Sequence, residues 1–325
     1  MTTSSAVFFT ETKGVTDEMG DFFSFTWASY AGLRDLWWQT RGFKICYPDT
    51  SDKNLHDKFF SGLQLPGRID LETICINMDW EEHEYRFSSN LIFNACTLFE
   101  TWIDRICSYT IPSDENWFSK ALQSPLLPTT GNNKCYVDCI NYIKSNKSHY
   151  LHNEVLPTLI KHKANSWSRI NSLLVIYSYF KLIRNNLVHS GGVVTDRIIN
   201  RHVQLVSDIT TSGNPVKSVF EIPTQTLGDK IKLPIKDSIN FYSVLKCLIF
   251  TYDAALSTTT LSENTFEQRL RDTVEADKSS LYRVPLETRK RNRVLRSILL
   301  KSNLPVNIDF ENFYDYLLVK RVISR

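Results

Sequence analysis

From Ile170 to Val188, apolar residues recur at spacings of three and four: Ile170, Leu173, Leu174, Ile176, Tyr177, Phe180, Ile183, Leu187 and Val188. Such a period puts one wide apolar face on a helix, which should end at about Ser190. Gly191 and Gly192 then stand where a left-handed C-terminal cap is expected. The same period marks 69–109 as a long helical stretch, with Leu91, Ala95, Leu98, Trp102 and Ile106 on a shared stripe. Further helices are expected over the aromatic-rich 21–40, over 238–256 and over 310–323. A short helix near Trp117 is expected inside 111–133, a loop-rich stretch marked by Pro112, Pro125, Pro128 and Gly131. One departure from helical period follows the loop signal at 210–215, where 216–222 and 230–235 read as a small β-hairpin across 223–229.

These patterns predict a mainly α chain with a small β-hairpin insertion and extra N- and C-terminal helices. The expected divisions are an N-terminal helical extension (1–68), a central helical domain (69–262) and a basic C-terminal helical region (263–325). With 325 residues, 42% hydrophobic and 12% aromatic, the chain can bury a substantial core. No apolar run approaches the ~18 uncharged residues needed to span a bilayer, and the N-terminus has no basic start before a long apolar stretch. A soluble, cytoplasmic protein is the expectation.

The central helix carries the candidate chemistry. It ends in Arg184-Asn185-Asn186-Leu187-Val188-His189. An arginine fork can hold a phosphate, and imidazole is the side chain that changes charge near neutral pH. Together they supply what phosphodiester cleavage needs without a metal. Asn185 and His189 share a helix face, whereas Arg184 lies about 140° from His189 around an ideal helix. Fraying of the last turn, or a second copy of the chain, would be needed to bring both groups to one phosphate. A second Arg-x4-His match, Arg197 to His202, has no polar residue directly after the arginine and falls beyond the helix-ending glycines.

Arg184, Asn185 and His189, with the glycine pair behind them, resemble the active-site motif of the HEPN superfamily, many of whose members are metal-independent endoribonucleases. The segment 90–106 is similar to a second feature of those domains, an apolar helix with a Phe-Glu-aromatic end, and places Glu100 at the matching position. The resemblance spans roughly 69–260 and implies a HEPN-like helical bundle. It also implies a homodimer whose composite cleft takes His189 and Arg184 from each subunit, with Asn185 orienting the histidine or the phosphate. RNA is the implied substrate, with no metal and no cofactor. A toxin or antiviral role, under an antitoxin or sensor protein, is implied in the same way. The competing expectation is a catalytically idle module of that fold that binds RNA, a nucleotide or a protein.

Glu100 lies among Phe99, Trp102 and Ile103, surroundings in which an unpaired carboxylate is costly. A contact with Arg184 or Asn185 across the helix pair is therefore expected. Charge adds a second candidate. Between Arg283 and Lys301, seven basic residues face one acid, Glu287, giving +6 in a chain of net +3. This run is interleaved with apolar residues as in an amphipathic helix, and its cations Arg289, Lys290, Arg291, Arg293 and Arg296 suit a phosphate backbone. Seven cysteines, an odd number and mostly within apolar segments, read as reduced core thiols. Cys135, Cys139, His149 and His152 have the residue types of a zinc site but not its spacing, and the two cysteines fall on one apolar helix face.

Overall fold

The computed structural model describes residues 7–62, 69–124 and 134–324. The first helix is longer than its apolar pattern suggests: α1 runs Thr10–Cys46 rather than from residue 21. After α2 (Asp52–Phe59), a π-turn at Glu72–Asn77 precedes α3 (Trp80–Thr110). The expected continuous helix over 69–109 is thus broken at Met78–Asp79. Arg41 of α1 accounts for the break, since its guanidinium donates to the carbonyls of Cys75 (2.8 Å), Ile76 (2.8 Å) and Met78 (3.1 Å). Carbonyls that would otherwise continue the helix are satisfied from outside it.

The short helix expected near Trp117 is α4 (Phe118–Leu122). Pro125, Pro128 and Gly131 of the expected loop lie outside the described residues, as do 63–68. There follow α5 (Tyr136–Ser145), a π-turn at Leu151–Val155, α6 (Leu156–Leu159), a 3-10 turn at Trp167–Arg169, α7 (Ile170–His189) and α8 (Asp196–Ser212). The chain closes with α9 (Ile235–Leu256), α10 (Thr260–Ala276), α11 (Lys278–Leu281), α12 (Thr288–Lys301) and α13 (Phe310–Val319).

Helices α3, α7 and α9 pack against one another, α1 lies along α3 and α9, and α8 folds back on α7. One cluster of buried apolar residues runs from Val7 to Ile323 and draws members from each of the three expected divisions. Buried polar groups staple its ends. Asp253 of α9 accepts the amides of Phe8 (2.7 Å) and Phe9 (3.1 Å), and Arg269 of α10 donates to the Phe8 carbonyl (2.6 Å). Burial pushes the Asp253 carboxyl up to about 6. A second, smaller cluster of Trp37, Leu55, Leu71 and Cys75 fixes the far end of α1.

The expected β-hairpin is not formed: there is no strand among the described residues, and the segment between α8 and α9 is irregular. Side chains take the bonds a ladder would have made. Asp237 accepts the amides of Glu221 (2.7 Å) and Ile222 (2.8 Å), while the Gln225 amide accepts from Lys232 N (3.0 Å) and donates to Lys232 O (2.9 Å). Ile222 sits at φ 41°, and Phe220, Ile231 and Leu233 are buried. Alternation of apolar residues here reports a loop pinned on the core.

Helix α7 ends as its glycines suggest, with Gly191 at φ 65° and Gly192 at φ 76°. The Asn186 carbonyl receives the amides of Ser190 (2.7 Å) and Gly192 (3.4 Å). The two glycines are not equivalent. A Cβ on Gly191 would meet open space, but one on Gly192 would lie 2.5 Å from the Tyr85 hydroxyl and 3.1 Å from Leu187 Cδ2. Urea denaturation should therefore show Gly191→Ala costing about 1 kcal/mol, the left-handed penalty alone. Gly192→Ala should cost roughly twice that, because strain and overlap add. Equal losses would mean that Tyr85 yields freely.

Candidate active site

Three side chains of α7 meet at Glu100 of α3. Its Oε2 accepts from Arg184 at 2.5 Å, and its Oε1 accepts from Lys181 at 2.9 Å and from the Tyr177 hydroxyl at 3.2 Å. The contact expected between Glu100 and Arg184 is present. Both side chains are 22% exposed, so the pair sits at the mouth of the α3–α7 seam rather than inside it. Phe99 and Tyr177 pack edge to face behind it, with ring centroids 4.9 Å apart. Burial beside Glu100 raises the Tyr177 hydroxyl well above its ordinary value, so it is a hydrogen-bond donor here and not an anion.

Arg184 also donates to Asn185 Oδ1 at 2.9 Å. Cys96 of α3 lies against the same guanidinium, and burial pushes its thiol up to about 12, which rules it out as a thiolate nucleophile at neutral pH. A guanidinium carries five N–H donors, more than Glu100, Asn185 and Cys96 use. The fork is thus aimed by a carboxylate while part of it still faces solvent. Asn186, one position on, is buried, and its Oδ1 has no partner among the described residues.

His189 is on the last turn of α7, exposed, with no side-chain partner among the described residues. Exposed Val188 and Val193 flank it. The last turn is not frayed, because α7 keeps its hydrogen bonding through His189 and the Ser190 amide closes on Asn186 O. An intact helix keeps Arg184 and His189 about 140° apart around the axis and ~7.5 Å apart along it. Within one chain, then, the structure brings together Glu100, Arg184 and Asn185, and leaves His189 at a neighbouring edge. Of the two routes by which they could meet, the unwound helix end is removed.

Two members of the cluster escaped sequence reasoning. Lys181 lies one turn before Arg184, and its Nζ also donates to Gln123 Oε1 at 2.5 Å. Two cations a turn apart on an otherwise apolar face were a signal for a shared acid. Gln123, in the turn after α4, carries no local pattern that points to it.

The basic run is only partly available. Arg289, Lys290, Arg293 and Arg296 are exposed on α12, and the spacing of four and three aligns Arg289, Arg293 and Arg296 on one stripe. Arg291 is placed differently from its basic neighbours. It turns inward, paired with Glu311 and stacked 4.9 Å over the Tyr314 ring, with its side chain 13% exposed. Its place on the helix, two residues from Arg289, points it at α13 instead of solvent.

Arg197 and His202 fall on α8, where His202 lies beside the Ile222 carbonyl, away from the Glu100 cluster. Cys135 and Cys139 are both fully buried, and the Cys139 thiol lies 3.5 Å from the Phe118 carbonyl. Among the described residues no three His, Cys, Asp or Glu side chains are grouped as metal ligands, and no helix is long and apolar enough to cross a membrane.

Fold and site together define a mainly helical chain in which a carboxylate-held arginine and a solvent-facing histidine lie on neighbouring edges of one helix end. Comparison with family models, with curated proteins and with solved structures found no match for this chain in any of the three.

Proposed function

We propose that the chain is a metal-independent endoribonuclease of HEPN type, working as a homodimer whose cleft is completed by a second copy. The observation that carries this reading is the Glu100–Arg184–Asn185 arrangement at the mouth of the seam, with Asn185 one helical turn from an exposed His189 that has no side-chain partner among the described residues. A fixed cation and a free imidazole at one helix end are the parts that in-line transesterification requires.

RNA supplies its own nucleophile. One His189 takes the proton of the ribose 2′-hydroxyl as its oxygen attacks phosphorus, and the bond from phosphorus to the 5′-oxygen breaks. The partner copy's equivalent imidazole protonates the departing 5′-oxygen, since one ring cannot serve both sides of an in-line displacement. Arg184 balances the additional negative charge on the phosphorus oxygens, held in place by Glu100 and Asn185. Val188 and Val193, exposed on either side of His189, offer apolar contact for the second copy. The products carry a 2′,3′-cyclic phosphate and a 5′-hydroxyl.

The test is incubation of purified protein with total RNA in EDTA beside a His189→Ala control. Cleavage that survives chelation, with cyclic phosphate at the new 3′ ends, is expected. Strict dependence on Mg²⁺ would sink the scheme. A helical module that binds RNA without cutting it has one observation in its favour, the 140° offset that keeps Arg184 and His189 from meeting within a chain. That module would bind RNA and leave it intact under every condition of the test. The setting we infer is that of a toxin or antiviral effector restrained by a partner protein.

The α12 stripe belongs to the same proposal, as the surface that holds the rest of the strand. Replacing Arg289, Arg293 and Arg296 together with alanine should weaken binding to a non-cleavable RNA. It should also flatten the plot of log K against log salt by about 2, at ~0.7 per lost phosphate contact. Arg291→Ala should leave that slope alone, because its guanidinium is already committed to Glu311.

A further inference from the structure

A cavity of about 220 Å³ opens between α5, α6 and the C-terminal end of α9, and no residue that holds Glu100 or Arg184 lines it. Its walls are apolar: Ile140, Ile143, Leu156, Ile160, Ala254 and Ala255. Two of the apolar side chains around it are left in water, Ile160 at 51% exposure and Trp167 at 41%.

The rim is of a different character. Lys144, Lys147 and His152 are among the lining residues, and no carboxylate is. Both lysines are exposed and have no ion-pair partner among the described residues. Burial and the charges of Lys147 and His149 lower the pKa of His152, a sign that positive potential accumulates here without a counter-ion. An apolar slot with an uncompensated cationic edge is complementary to a molecule of matching polarity.

We propose that this cavity binds a small amphiphile with an apolar body and a single anionic end, of the type of a medium-chain carboxylate. The apolar part replaces water against Ile140, Ile143, Leu156 and Ala255, and the anion stays at the edge beside Lys144 and Lys147, where it keeps part of its hydration. Size sets the class. An engineered cavity of ~150 Å³ takes up benzene, so this one suits a body somewhat larger than a single ring or an alkyl chain of comparable volume. A flat apolar patch for a protein partner would need neither the concavity nor the uncompensated charge.

Titration calorimetry of the full chain with octanoate and with 1-octanol, below micelle formation, tests this. Octanoate should saturate one site. Lys144→Glu with Lys147→Glu should weaken octanoate by about tenfold and leave 1-octanol within about twofold, because only the anion loses its partners. Ile160→Glu, which places a carboxylate in the slot from an exposed position, should weaken both. Circular dichroism checks that these surface variants keep their helix content. Octanoate that fails to saturate, affinity indifferent to both variants, or 1-octanol falling in step with octanoate in the lysine variant would each overturn the proposal.

Discussion

His189→Ala is expected to lower RNA cleavage by about 10³-fold while leaving the folded protein intact. The size is that of a single proton transfer, about 10²–10⁴ in general acid–base catalysis, because two groups that act as a unit do not multiply when both are removed. Residual electrostatic stabilisation by Arg184 keeps the loss short of total. The selectivity follows from exposure. His189 has no side-chain partner among the described residues and closes no part of the core, so its removal should shift stability by less than ~0.5 kcal/mol. Cleavage of a labelled RNA together with a thermal melt reads both quantities. An alanine protein that cuts at the parent rate would end the nuclease reading. One that fails to fold would show that the imidazole has a structural role the geometry does not reveal.

Affinity should respond differently from rate. In the proposed mechanism His189 acts on the reacting atoms, so binding of a 2′-deoxy substrate analogue should survive the substitution while turnover is lost. In the same mechanism Arg184 meets the phosphate both before and during reaction, so Arg184→Ala should damage both parameters. If instead His189→Ala weakened binding of the analogue and no cleavage was present to lose, the side chain would be a phosphate contact of a binding module.

The parts of this molecule that were legible in the sequence are those governed by local period. Helix α7 could be drawn from Ile170 to its glycine stop because its apolar residues are numerous and its cap is made by neighbours in the chain. The Glu100 contact was legible because a carboxylate between Phe99 and Trp102 must find a cation. What escaped notice depends on distant residues. The break before α3 is made by Arg41, and the loop taken for a hairpin is held by Gln225 and Asp237, whose roles no window of sequence encloses. Lys181 completes the Glu100 cluster yet lies outside the motif, because the motif runs forward from Arg184. Arg291 was grouped with its basic neighbours, although the partner that withdraws it, Glu311, belongs to another helix.

Glu100→Ala should separate a structural from a positioning role for the carboxylate, and its effects should be large on both counts. It leaves Arg184 and Lys181, one turn apart on α7 and each less than a third exposed, without their shared counter-ion. Breaking a fully buried pair costs ~3–5 kcal/mol, but exposure at the mouth of the seam screens part of that. A loss of about 2 kcal/mol in urea denaturation is expected, with Tyr177 and Gln123 partly re-pairing the lysine. Activity should fall by roughly 10²-fold, because a guanidinium freed from its rest is displaced from the phosphate by an ångström or more. Glu100→Gln distinguishes the causes. It keeps the volume and one acceptor oxygen but sets an amide N–H₂ against a cation, so Arg184 and Lys181 must compete for the single oxygen. Should the loss of activity exceed what the fraction unfolded explains, and fall mainly on kcat, the carboxylate is aiming Arg184. Should activity track the folded fraction in both variants, Glu100 only neutralises the seam, and the arginine reaches its phosphate unaided.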